Sequence, residues 1–100
     1  MKKFIFLRAN RVNSVSSPDL FSVIYGKSYE YTRKRIIREI NKDLKYLYEG
    51  KDVTISVQSF GCEYHSSSID YFFYGFIYPI GTKAKTQSIK YIVKEKYIEI

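Results

Sequence analysis

Tyrosines and lysines are frequent in the last third of this chain, and they are the residues best suited to bind a ligand. Six aromatic rings fall within the eight residues of Tyr71–Tyr78, and further tyrosines follow among lysines. Flat rings stack on nucleobases while ammonium groups neutralise phosphates, and each stacked base contributes about 1 to 3 kcal/mol. Tyrosine also fills cores, so a purely structural role is the alternative. The candidates for such a platform are Tyr71, Tyr74, Tyr78, Tyr91 and Tyr97 with Lys83, Lys85, Lys90, Lys94 and Lys96.

Catalytic and metal-binding motifs are not evident. His65 lies in a turn beside three serines, but nucleophilic catalysis also needs an orienting carboxylate and an oxyanion hole. One histidine and one cysteine, Cys62, cannot form a standard zinc site within one chain. Glu63 and Asp70 could face each other on a hairpin without any further signature. We expect no catalytic residue, no metal and no cofactor.

Positive charge is concentrated in the first half of the chain. The net charge is +7, and residues 1–50 hold 11 basic and 5 acidic side chains, whereas residues 51–100 hold 6 and 5. Such asymmetry favours an anionic partner, namely RNA, DNA, a nucleoprotein or an acidic protein surface.

An amphipathic helix is predicted between Ser28, which can cap it, and Gly50, which ends it. Its apolar residues recur at helical spacing and comprise Ile36, Ile37, Ile40, Leu44, Leu47 and Tyr48. The opposite side carries a basic stripe of Lys34, Arg35, Arg38, Lys42 and Lys45. This stripe either contacts an anionic partner or is a solvated face, partly neutralised by Glu39 and Asp43.

The other elements are predicted from the spacing of apolar residues and from the residues that start and end helices and strands. Residues 4–9 form an inner strand, and Ser17-Pro18-Asp19 starts a short helix over residues 18–25. Alternation predicts a long hairpin over residues 53–79 with a bulge at residues 59–61. A last strand over residues 88–98 turns Ile89, Tyr91 and Val93 inward.

The predicted order is therefore β-α-α-β-β-β in a single domain spanning residues 1–100. We expect an α+β fold, a two-layer sandwich in which a short and a long helix cover one face of an antiparallel sheet of about four strands. Neither a signal peptide nor a membrane span is evident, and a lone cysteine suits a reducing compartment. We expect an intracellular, cytoplasmic protein. If it is viral, the compartment is the cytoplasm of the host cell.

This element order resembles that of small bacterial toxins that cleave messenger RNA on the ribosome with Lys, Arg and Tyr side chains. The resemblance implies a small ribonuclease in which Lys90, Lys94 and Tyr97 are the candidates for phosphate stabilisation and general-acid catalysis. It extends to element order alone, because no motif is shared.

We expect instead a non-enzymatic binding protein. Its size and its Lys-, Ile- and Tyr-rich composition are typical of accessory proteins from viruses or mobile elements with AT-rich genomes. Such proteins inhibit host machines, including CRISPR-type nucleoproteins, and an anti-CRISPR or other host-defence inhibitor with this charge would contact nucleic acid or an acidic surface. A third hypothesis is a structural subunit that forms a homodimer through its aromatic strand.

Overall fold

A helix lies across one face of a five-stranded antiparallel sheet in the computed structural model, which describes residues 1–9, 19–81 and 86–97. The helix is α1 (Tyr29–Leu47), and the strand order in the sheet is β2-β1-β5-β4-β3. The expected α+β class, with an antiparallel sheet and a long helix, is confirmed. The strands are β1 (Lys2–Arg8), β2 (Asp19–Gly26), β3 (Val53–Tyr64), β4 (Ser68–Pro79) and β5 (Gln87–Tyr97).

The short helix predicted over residues 18–25 is wrong, because residues 19–26 form the edge strand β2. The described part of the chain therefore has five strands and one helix, not four and two. Alternating and β-branched residues such as Val23 favour a strand, and pairing with β1 places Ile24 opposite Phe4 in the core. Gly26 does not end a helix but allows close packing, since a Cβ there would overlap Thr32 of α1. Residue 18 lies outside the described ranges.

The long helix is confirmed. The Ser28 hydroxyl accepts a hydrogen bond from the backbone N–H of Tyr31 at 3.4 Å, as an N-cap does. Ile36, Ile40 and Leu44 are fully buried against the sheet. Leu47, which was predicted to be buried, is 37% exposed.

The predicted hairpin and its bulge are confirmed too. β3 and β4 pair antiparallel, and their register shifts between Ser59 and Cys62, where Gly61 adopts a positive φ of 95°. Because directly paired residues share a face, the register separates two faces of the sheet. The helix face, which α1 covers, includes Phe4, Phe6, Phe73, Ile77, Ile89, Tyr91 and Val93, whereas the open face includes Lys3, Phe72, Tyr74, Phe76, Tyr78, Lys90, Lys94 and Lys96.

Within the described ranges, no helix combines the length and the apolar character that a bilayer crossing requires. The cellular compartment remains a prediction from composition.

A polar cluster joins α1 to the sheet. Asp43 accepts hydrogen bonds from the Arg8 guanidinium at 2.6 Å and from the Tyr91 hydroxyl at 2.7 Å. Burial, the hydrogen bond to Asp43 and the charge of that carboxylate together raise the pKa of Tyr91 above its ordinary value near 10. Burial lowers the pKa of Arg8, but the bond and charge of Asp43 outweigh it and raise that pKa.

The raised pKa of Tyr91 makes folding stability depend on pH at the alkaline end. A pKa that is higher in the folded state gives stability that is fully present below pH 10 and is lost as pH rises from about 10 toward the folded value. We expect Tyr91→Phe to reduce stability by about 1.5 to 3 kcal/mol at neutral pH, because a hydrogen bond to a charged acceptor is lost. Above pH 10 the variant should lose stability less steeply than the wild type. Urea denaturation at several pH values measures both effects.

The exposed Tyr31, at 83% exposure, provides the control, since Tyr31→Phe should leave the profile unchanged. Burial together with the charge and hydrogen bond of Glu95 also raises the pKa of Tyr71, so some alkaline loss should persist in Tyr91→Phe. Parallel alkaline profiles for the wild type and Tyr91→Phe would show that Tyr91 is not involved.

Candidate nucleic-acid interface

The predicted basic stripe lies on the solvent side of α1. All five of its cations are exposed, on the side of the helix opposite Ile36, Ile40 and Leu44. From Lys34 to Lys45 the stripe extends about 16 Å along the helix axis. The helix thus turns its apolar side to the sheet and its basic side to solvent.

Two acids in the middle of α1 are bonded on the sheet side. Glu39 accepts a hydrogen bond from the Ser22 hydroxyl of β2 at 3.1 Å, and Asp43 is held by Arg8 and Tyr91. The side chain of Asp43 is only 8% exposed. Both carboxylates therefore bond to groups of the sheet, and in the described ranges neither forms an ion pair with a stripe cation.

The stripe cations consequently lack acidic partners. In the described ranges, no ion pair of 4.0 Å or less involves Lys34, Arg38, Lys42 or Lys45. Arg35 donates a hydrogen bond to the backbone carbonyl of Tyr25 at 3.0 Å and keeps its charge. Glu39 and Asp43 therefore do not form ion pairs with the stripe, whose cations face solvent.

Two tyrosines that the sequence reasoning missed accompany the stripe. Tyr31 is 83% exposed and Tyr46 is 75% exposed. At 100° per residue, Tyr31 lies about 20° from Arg38 around the helix axis and Tyr46 about 40° from Lys42. Helical spacing alone could have revealed them. We call the five cations and these two tyrosines the helix stripe.

The strand candidates do not join the helix stripe. Lys90 and Lys94 lie on the open face, where Lys90 is held over the ring of Phe72 at 4.9 Å and Lys94 bonds both carboxylate oxygens of Asp70 at 3.2 Å. Tyr97 is 71% exposed and pairs with Lys2 on the helix face. Lys83 and Lys85 lie outside the described residues.

Tyr91 was predicted to bind a partner, and the structure corrects this prediction. It is fully buried, and its hydroxyl is bonded to Asp43, so the side chain offers no surface to a ligand. Tyr71 also faces the helix, where its ring stacks on Tyr29 at 3.8 Å. Alternation along the strands thus divides the predicted tyrosines, and only Tyr74 and Tyr78 reach the open face.

A small polar network closes the β3–β4 turn. Glu63 and Asp70 are directly paired, as considered from the sequence, and His65 Nε2 lies 3.2 Å from Asp70 and 4.0 Å from Glu63. Asp70 also neutralises Lys94. Because Lys94 and Tyr97 project from opposite faces of β5, the described residues do not bring together the groups that a toxin-like ribonuclease would use.

The described residues contain no group of three or more His, Cys, Asp or Glu side chains arranged to hold a metal ion. Cys62 is exposed and has a free thiol. The chain matches no protein-family model, no curated protein and no solved structure.

Proposed function

We propose that this protein is a non-enzymatic nucleic-acid-binding protein that contacts the phosphate backbone through the helix stripe. One observation carries the proposal. The nearby acids of α1, Glu39 and Asp43, bond to groups of the sheet and leave the stripe cations without carboxylate partners.

The stripe is electrostatically costly in the free protein. Lys34, Arg38 and Lys42 follow one another at a spacing of four residues, and like charges at this spacing destabilise a helix by about 0.2 to 0.5 kcal/mol per pair. Phosphates remove this repulsion, and their condensed counterions are released when protein cations replace them. The hydroxyls of Tyr31 and Tyr46 can donate further hydrogen bonds to phosphate oxygens.

The dimensions of the stripe suit several phosphates at once. From Tyr31 to Tyr46 it extends about 22 Å along the axis of α1. Phosphate contacts of this kind fix orientation without reading sequence, so we propose binding that depends strongly on salt and weakly on base sequence.

The broader hypothesis of a viral or mobile-element protein that inhibits a host machine remains a prediction. Occluding a CRISPR-type or other nucleoprotein would require a basic surface that competes for phosphates, and the helix stripe is suited to that task. An acidic protein surface is the alternative partner for the same cations.

Reversing two charges at the centre of the stripe tests the proposal. We expect Arg38→Glu/Lys42→Glu to bind a fluorescein-labelled nucleic acid at least about tenfold more weakly, because two phosphate contacts become repulsions. Fluorescence anisotropy with an RNA strand and with a DNA duplex measures the affinity. Both side chains are exposed, so circular dichroism should show an unchanged fold.

The matched control is Lys27→Glu/Lys51→Glu, which changes the net charge equally at exposed residues outside the stripe. It should weaken binding by less than about threefold, since only long-range attraction is reduced. Equal losses in both variants would attribute binding to net charge, and failure of the wild type to bind either probe would end the proposal.

A further inference from the structure

The open face of the sheet carries a row of aromatic rings that no described element covers. The rings of Tyr74 and Phe76 are stacked at 6.2 Å, and Phe76 lies 6.4 Å from Tyr78. Phe60, brought to this face by the bulge in β3, contacts Tyr74 at 4.8 Å. We call these four residues and Phe72 the ring row.

Two rings of the ring row are exposed to solvent and can contact a ligand. Phe60 is 53% exposed and Tyr78 is 39% exposed. A shallow depression of about 280 Å³ lies between Phe60, Phe72, Tyr74 and Lys90. Flat ring faces beside an ammonium group suit a ligand that is planar and aromatic in one part and anionic in another.

Three lysines of the open face lack acidic partners in the described ranges. Lys90 lies beside the ring row, whereas Lys96 pairs with Ser68, toward the other end of β4. Lys3 of β1 and Lys96 of β5 are directly paired, which places like charges opposite each other. In the described ranges, neither of them nor Lys90 forms an ion pair, whereas of the two acids on this face Asp70 is bonded to Lys94 and Glu63 lies 4.0 Å from His65. The open face therefore has an excess of positive charge.

We infer that the open face binds single-stranded nucleic acid, with bases stacked on the ring row and phosphates near Lys90, Lys96 and Lys3. A duplex cannot occupy it in this way, because its bases are stacked on one another and show only their edges. A second copy of the chain is disfavoured by charge, since each such face has more lysines than carboxylates and two of them would repel each other.

This surface is separate from the helix stripe. The two lie on opposite sides of a molecule whose smallest dimension is 21 Å, so each contacts its own segment of nucleic acid. The helix stripe accepts any phosphate backbone, whereas the ring row selects unpaired bases. The inference thus adds a class of ligand, single strands, to the proposed function. It depends on residues that are not part of the helix stripe.

The test removes ring stacking while keeping apolar side chains. Phe60→Leu/Tyr74→Leu is compared with Tyr64→Leu/Tyr97→Leu, which replaces two rings at exposed residues of the helix face. The probes are fluorescein-labelled oligouridine and oligodeoxythymidine of about 12 nucleotides, within the site sizes of single-strand binders, and a labelled DNA duplex of equal length. Fluorescence anisotropy gives the affinities, and circular dichroism verifies each fold.

We expect the ring-row variant to lose at least about tenfold in affinity for both single strands and to keep its affinity for the duplex. The control variant should bind all probes as the wild type does. A third variant, Lys90→Gln, should weaken single-strand binding. The protein should stay folded, because this side chain is exposed.

Unchanged single-strand affinity in the ring-row variant would overturn the inference, as would equal loss for strands and duplex. A wild type that sediments as a dimer, with the ring-row variant a monomer, would assign the face to a second copy and also overturn it. If Arg38→Glu/Lys42→Glu did not weaken duplex binding, only the proposal for the helix stripe would be contradicted, because the inference about the ring row does not depend on it.

Discussion

Replacing Leu44 with alanine is expected to reduce the free energy of unfolding by about 2 to 5 kcal/mol, because the side chain is fully buried and its removal leaves a cavity. Leu44 packs directly over Gly75 of β4, where an added Cβ would lie 2.5 Å from Leu44 Cδ1. The absence of a side chain at position 75 is therefore what lets α1 approach the sheet closely.

The same contact makes the two positions interdependent. Gly75→Ala alone should destabilise the protein by about 1 to 3 kcal/mol through overpacking against Leu44. In Leu44→Ala/Gly75→Ala the new methyl group enters the space that leucine leaves, so the double variant should be less destabilised than the two single effects combined. Urea denaturation of the wild type and three variants measures this coupling. Strict additivity would mean that the helix does not rest on residue 75.

Removing the Asp43 carboxylate should have a comparably large effect. Asp43→Ala deprives both Arg8 and the buried Tyr91 hydroxyl of their acceptor. Because breaking a buried charged network leaves unpaired polar groups, we expect a loss of about 3 to 5 kcal/mol. Thermal or urea denaturation at neutral pH gives the value.

Glu39→Ala is the matched control for Asp43→Ala, since Glu39 lies one turn earlier and accepts a single hydrogen bond from Ser22. It should reduce stability by about 1 kcal/mol or less. If the two variants were equally stable, Asp43 would not anchor the helix to the sheet.

Much of the fold could be predicted because its signals are local. The apolar spacing from Ile36 to Leu44 covers just over two turns of helix, and alternation is regular in β5 and before the bulge in β3. Residues 19–26 were misassigned because a helix-start motif and a strand-like composition coincide in only eight residues. Long-range pairing with β1 decided the outcome, and a local pattern does not contain it.

The candidate site was predictable only in part. The stripe could be predicted from helical geometry. Its lack of acidic partners could not, because Glu39 bonds to Ser22 and Asp43 to Arg8, which are 17 and 35 positions earlier in the sequence. Tyr91 was placed both among the inward residues and among the binding residues, and the structure retains only the first placement. Phe60 reaches the ring row through the bulge, whose effect on neighbouring strands is not a property of one segment.

The two surfaces differ in chemistry, and we therefore propose different ligands for them. The helix stripe has exposed cations for phosphates, whereas the open face has rings for bases and fewer cations.

The salt dependence of binding to the DNA duplex tests the central claim most directly. Affinity should fall linearly on logarithmic axes as salt rises, and Arg38→Gln/Lys42→Gln should reduce the slope by about 1 to 2, in proportion to the phosphate contacts removed. A variant line parallel to that of the wild type, or wild-type binding insensitive to salt, would contradict the assignment of the helix stripe to the phosphate backbone.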